Sequence, residues 1–85
     1  MKKLTLFTLN GCPYCREAEI WIKELKEEDP ELRNVKIERI EESENPEIAE
    51  AHDYWYVPTF YLEETKIHEG VATKEIIRNC LKKAL

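Results

Sequence analysis

Two cysteines separated by two residues, in Gly11-Cys12-Pro13-Tyr14-Cys15, sit where an extended apolar segment gives way to a helix-patterned one. No other stretch constrains the chain as strongly. Lys3 to Leu9 is rich in strand formers and apolar on both faces, with Leu4 and Leu6 opposed to Phe7 and Leu9. That is the pattern of a central strand covered on both sides. Asn10-Gly11 turns the chain. Pro13 suits a first helical turn, where a missing N–H costs nothing and the fixed φ is already helical. Cys12 therefore falls at a helix N-terminus, where unpaired N–H groups and the helix dipole favour an anion. The reacting form of cysteine is the thiolate, which such a position favours. Cys15, about one turn further on, is within reach of a mixed disulfide formed at Cys12, so the pattern suits thiol–disulfide exchange. Cys-x-x-Cys is also half of many zinc sites. No second pair with metal spacing exists here, and His52 and His68 lie far from the motif, so no metal is expected.

The remaining segments follow in a regular order. Pro13 to Glu28 carries an apolar stripe of Ala18, Trp21, Ile22 and Leu25 with charge on the other side, and Asp29-Pro30 ends it. Val35 to Ile40 alternates apolar and charged residues, which predicts a strand at a sheet edge. Glu41-Glu42-Ser43-Glu44 connects it to a short helix from Pro46 to His52, with Asn45 as the expected N-cap. An aromatic connector, Tyr54-Trp55-Tyr56, leads to Val57-Pro58-Thr59. Phe60–Glu63 and Lys66–Glu69 read as an antiparallel hairpin, and Thr73 caps a terminal helix with a basic end. The predicted order is β-α-β-α-β-β-α, a single α/β domain over 1–85 whose first crossover gives a parallel strand pair.

Cys-Pro-Tyr-Cys resembles the active-site tetrapeptide of dithiol glutaredoxins, a branch of the thioredoxin superfamily, and the element order is similar to the short form of the thioredoxin fold. The resemblance implies a four-stranded mixed sheet flanked by three helices. It also implies a thiol–disulfide oxidoreductase that reduces protein disulfides, with Cys12 as nucleophile and Cys15 as resolving thiol. No bound cofactor is implied beyond the redox-active Cys12–Cys15 disulfide. Pro58 looks like the superfamily's cis-proline. In the family it faces the cysteines, and the backbone of the residue before it, here Val57, pairs with substrate in strand-like fashion. Pro13 and Tyr14 within the motif, the latter placed to pack against an incoming peptide, and Thr73, whose helix N-terminus offers N–H groups to a carboxylate, complete the expected substrate-binding residues.

Glutathione recognition is where the chain departs from the glutaredoxin pattern. A basic residue about three positions before the first cysteine is replaced by Leu9, and a Thr before Val-Pro by Tyr56. A Gly-Gly run with a following Asp is replaced by Gly70-Val71-Ala72-Thr73. Glutathione and a thioredoxin-reductase-type flavoenzyme are thus the two reductants to weigh, and the flavoenzyme is favoured. Another function class is an iron–sulfur carrier bridging two subunits through Cys12, although such sites in the family more often hold one cysteine and a residue smaller than Tyr14. A redox-inert interaction module is opposed by the intact Cys12, Cys15 and Pro58.

Composition narrows the partners. A net charge of −5 argues against nucleic acid, which needs a basic footprint, and against anionic membranes. No stretch approaches the ~18 consecutive apolar residues of a spanning helix. Three cysteines make no closed disulfide framework, and Cys80 among Ile76, Ile77 and Leu81 reads as a buried, inert thiol. The expected protein is a cytoplasmic monomer, reduced at rest, whose partners are disulfide-containing proteins and a reductase.

Overall fold

The computed structural model describes residues 1–85. Its first strand, β1 (Leu4–Thr8), has Leu4, Leu6 and Phe7 without solvent exposure. A strand apolar on both sides can satisfy itself only in the interior of a sheet, and β1 lies there. Its parallel neighbour is β2 (Ile37–Glu41), with Leu4 opposite Ile37 and Phe7 opposite Ile40. On its other side, antiparallel, runs β3 (Thr59–Leu62), which pairs in turn with β4 (Thr65–Glu69), giving the sheet order β2-β1-β3-β4. The fold is therefore α/β with a four-stranded mixed sheet, as the pattern predicts, and β2 is an edge.

Side-chain alternation divides the core between the two faces of this sheet. Leu4, Leu6 and Phe60 face α1 (Pro13–Glu28) and α3 (Lys74–Lys83), joining Ala18, Ile22, Leu25, Ile77 and Leu81 in the main cluster. Each fully buried Leu, Ile or Phe there contributes about 1.5–3 kcal/mol relative to exposure. Phe7, Ile40 and Tyr61 face the other way, against Tyr54 and Val57. This second face is thinly covered. The five-residue α2 (Pro46–Glu50) buries no side chain of its own, and aromatic rings take its place: Phe7 lies 4.7 Å from His52 and 4.8 Å from Tyr54, centroid to centroid.

The expected elements are all present, with boundaries moved for local reasons. Val35 is buried but belongs to a turn, its N–H bonded to the Leu32 carbonyl (3.1 Å) and its carbonyl to Lys26 Nζ (2.6 Å), so β2 begins only at Ile37. Asn45 does not cap α2 through its side chain: its amide donates to the Glu41 carbonyl instead (3.1 Å). Trp21 is only half-buried, flanking the core rather than filling it. Thr73 does cap α3, its hydroxyl accepting from Ile76 N–H at 3.2 Å. In the β3–β4 ladder the register shifts by one residue between Phe60 and Tyr61, so that Phe60 faces His68, Tyr61 faces Lys66, and Ile67 has no partner.

The two faces of α1 should respond very differently to truncation. Leu25→Ala, at a site 1% exposed, is expected to cost about 2–5 kcal/mol. Ile20→Ala, 57% exposed on the same helix, should stay within about 0.5 kcal/mol. Urea midpoints with an unchanged slope check the pair.

Candidate active site

The loop that leads out of β1 is built for the cysteines that follow it. Cys12 N–H donates to the Leu9 carbonyl at 3.1 Å, closing a turn in which Gly11 takes φ +83°. A positive φ at the third of four turn residues is the type II pattern, which glycine adopts without a steric penalty. Asn10 N–H in the same turn donates to the Glu41 carboxylate at the end of β2. Cys12 then occupies the N-cap of α1 in extended conformation, φ −83° and ψ 114°, with Pro13 at the first helical position. No side chain caps this end, so first-turn N–H groups are left without a capping partner at the helix end that carries Cys12.

The two sulfurs are placed unequally. Cys12 is partly accessible, and its Sγ lies 3.9 Å from the Val57 carbonyl oxygen. Cys15, one turn into the helix, is only 5% exposed. Burial pushes its thiol up from the ordinary 9.0 to about 12, helped by a hydrogen bond to the Cys12 side chain and opposed by one to the Leu9 backbone. The charges of Cys12 and Glu42 act in the same raising direction. Cys15 is therefore the proton-bearing partner of a close pair whose other sulfur meets solvent. Both are free thiols in this structure. A hollow of about 470 Å³, lined by Leu9, Gly11, Arg16 and Ile20 as well as the two cysteines, opens beside them.

The facing wall is the segment 53–58. The Val57–Pro58 peptide is cis, with Pro58 buried and Val57 half-buried. This stretch has no regular secondary structure, and each of its turns is held from outside. Tyr61 Oη donates to the Asp53 carbonyl (2.8 Å), and Tyr54 Oη to Glu42 Oε2 (2.6 Å). Trp55 and Tyr56 both give their N–H groups to Glu69 Oε2, at 2.5 and 3.0 Å. The buried Thr59 hydroxyl donates to the Tyr56 carbonyl, and Gly70 N–H to the Pro58 carbonyl at 2.8 Å. Lys66 pairs with the other Glu69 oxygen at 2.6 Å, and that hydrogen bond, with those from Trp55 and Tyr56, draws the carboxyl down to about 2.

Of the sequence-predicted site residues, Cys12, Pro13, Cys15, Val57 and Pro58 come together at this end of the sheet. Tyr14 is 53% exposed on the outer side of the motif. Thr73 makes no hydrogen bond to the cysteine loop or to Val57–Pro58, since its hydroxyl is engaged within its own helix. The neighbouring cation, Lys74, is paired with Glu24 (3.3 Å) and Glu28 (2.7 Å) of α1. Trp55 and Tyr56 of the aromatic connector are strongly exposed, at 87% and 71%. Cys80 lies in the main core on α3, its thiol pushed up to about 11 by burial. Glu42 and Glu69 escaped the sequence reading, because an acid at a strand end is ordinarily solvated and only the fold brings a distant loop to it.

Residues 2–82 match the family model described as a thioredoxin domain. A thioredoxin of Methanocaldococcus jannaschii is 34% identical over 83 residues, spanning 98% of this chain and 95% of that protein. Among solved structures, a thioredoxin-like protein of Clostridium perfringens superposes with a TM-score of 0.67 at 26% identity, over 99% of this chain and 71% of that one. A malarial protein reaches 0.72 at 13% identity, over 100% and 98% of the two chains, a likeness of fold alone.

The unequal exposure of the three sulfurs predicts an order of modification. Brief treatment of the native reduced protein with iodoacetamide should label Cys12 first, leaving Cys15 and Cys80 unmodified until denaturant is added. Peptide mass mapping reads this out, and early label on Cys80 would contradict its place in the core.

Proposed function

The chain belongs to the thioredoxin domain family, and from that premise we propose that it is a dithiol–disulfide oxidoreductase that reduces protein disulfides through Cys12 and Cys15. The observation that carries this reading is the pairing of an accessible sulfur at a helix N-terminus with a buried, protonated sulfur one turn away.

The chemistry follows from that inequality. Cys12, as thiolate, attacks one sulfur of the substrate disulfide. A Cys12–substrate disulfide forms, and the other substrate sulfur leaves as a thiolate that takes up a proton. Cys15 then gives up its proton as it attacks the Cys12 sulfur, forming the Cys12–Cys15 disulfide and expelling the second substrate thiol. Two electrons pass from the dithiol to the substrate. Holding the Cys15 proton until that step favours reaction at the outer sulfur first. The Val57 carbonyl beside Cys12, and the Val57 N–H that no group of the protein accepts, suit an incoming polypeptide aligned as an added strand. The exposed apolar rings of Tyr14, Trp55 and Tyr56 suit the same partner.

The reductant that restores the dithiol is proposed to be a thioredoxin-reductase-type flavoenzyme rather than glutathione. The positions that would grip glutathione are occupied by Leu9, Tyr56 and a single-glycine turn. Thr73 and Lys74 are already engaged in contacts of their own, and the net charge of −5 opposes an anionic tripeptide.

Replacement of the resolving thiol tests the roles. Cys15→Ser should accumulate mixed disulfides with protein substrates, seen as adducts on gels that reductant removes, while Cys12→Ser should yield none. Absence of adducts from Cys15→Ser would refute the assignment. A donor comparison tests the reductant. The oxidised protein should lose its Cys12–Cys15 disulfide, followed by thiol labelling, at least tenfold faster with NADPH and a thioredoxin-reductase-type enzyme than with glutathione and glutathione reductase, a margin of about 1.4 kcal/mol in the barrier. The reverse order would assign the chain to glutathione.

A further inference from the structure

Segment 53–58 presents Val57 to Cys12, yet it belongs to neither a helix nor a strand. Along it, Trp55 and Tyr56 are the two residues immediately before Val57, and both N–H groups end on one oxygen of Glu69. Val57's own N–H makes no hydrogen bond within the protein, which leaves it free for an incoming chain. Glu69 thus accepts the two N–H groups that would otherwise be free to turn outward, and leaves the third. Its remaining oxygen is fixed by Lys66, so the carboxylate cannot rotate without breaking a charged pair. Residues three apart on a regular strand point to opposite faces. Lys66 and Glu69 share a face because the ladder skips Ile67 between them, which sets Glu69 opposite Thr59. Thr59 completes the clamp from the other side, its hydroxyl donating to the Tyr56 carbonyl.

We infer that Glu69 is a positioning residue for the reaction: it fixes the backbone of Trp55 and Tyr56 so that Val57 can pair with the backbone of a polypeptide disulfide substrate. The inference rests on the oxidoreductase reading and adds to it a determinant for polypeptide over small disulfides. A carboxylate accepting two backbone N–H groups makes strong, charge-assisted bonds. Losing it leaves the Trp55 and Tyr56 N–H groups without an acceptor and loosens that stretch alone, whose ordering must then be repeated at each binding event. Chemistry at Cys12 itself is untouched, since Glu69 contacts neither sulfur.

The test compares two substrates with the full chain and the variants Glu69→Ala and Glu69→Gln. Insulin disulfides are flanked by polypeptide backbone; 2-hydroxyethyl disulfide has none. Glu69→Ala is expected to raise KM for insulin about tenfold while kcat stays within about twofold, and Glu69→Gln, which keeps an acceptor but not the charge, to fall between. Rates with 2-hydroxyethyl disulfide should be unchanged in both. Equal losses on the two substrates would make Glu69 merely structural and overturn the inference, as would unchanged KM for insulin. Should Glu69→Ala fold poorly, Glu69→Gln carries the same comparison. A native protein inactive on both substrates would instead sink the oxidoreductase reading, and the inference with it.

Discussion

The reactive end of this molecule depends on the burial of β1 from both sides. Leu4 and Leu6 go to one cluster, Phe7 to the other, and none of the three meets solvent. That double burial forces the strand into the middle of the sheet, with a parallel neighbour on one side and an antiparallel one on the other. A helix following such a strand must return across the sheet, and its N-terminus then opens at the strand's carboxyl end. The turn at Asn10-Gly11 and the proline at position 13 make the change of direction in four residues. The cysteines are thus at the sheet's end because the core is in its middle.

Much of this was open to reading from local signals. The strand before the motif, the Pro13 start and Asp29-Pro30 stop of α1, the Thr73 cap and the hairpin all rest on residues whose preferences act within one or two turns of chain. What local signals misjudged were residues whose partners lie elsewhere. Val35 carries the right side chain for a strand, but a lysine nine residues earlier takes its carbonyl. Asn45 is a good capping residue whose amide is diverted to Glu41. At the candidate site the same division holds. Cys12, Cys15 and Pro58 announce themselves by type and spacing, whereas Glu42 and Glu69 are acids among many in a chain with 18 of them, distinguished only by the loop that folds onto them.

That loop shows how a small protein can hold irregular backbone in place. Between α2 and β3 the chain runs through residues 53–58 with no ladder or helix to satisfy its polar groups. Instead, five partners from four places reach it: Glu42 after β2, Thr59 and Tyr61 on β3, Glu69 on β4 and Gly70 beyond it. Each bond is modest alone, about 0.5–1.5 kcal/mol net and more where a charge takes part. Their distribution matters more than their sum, because no single rotation can release the segment. The thin cover that α2 gives this face is compensated by rings, with Tyr54 and His52 packed at a tilt against Phe7.

The skipped residue in the β3–β4 ladder gives the hairpin a parity. Counting from the turn, an uninterrupted β4 would set His68, not Glu69, across from Thr59, and Glu69 would point to the opposite face. One unpaired isoleucine exchanges an imidazole for a carboxylate at the wall of the cysteine site, with no change in which residues the chain contains. The identity of the group behind Val57 is accordingly written in the register of a strand as much as in its letters. Pairing Ile67 instead of skipping it would be a substitution at Glu69 in all but name.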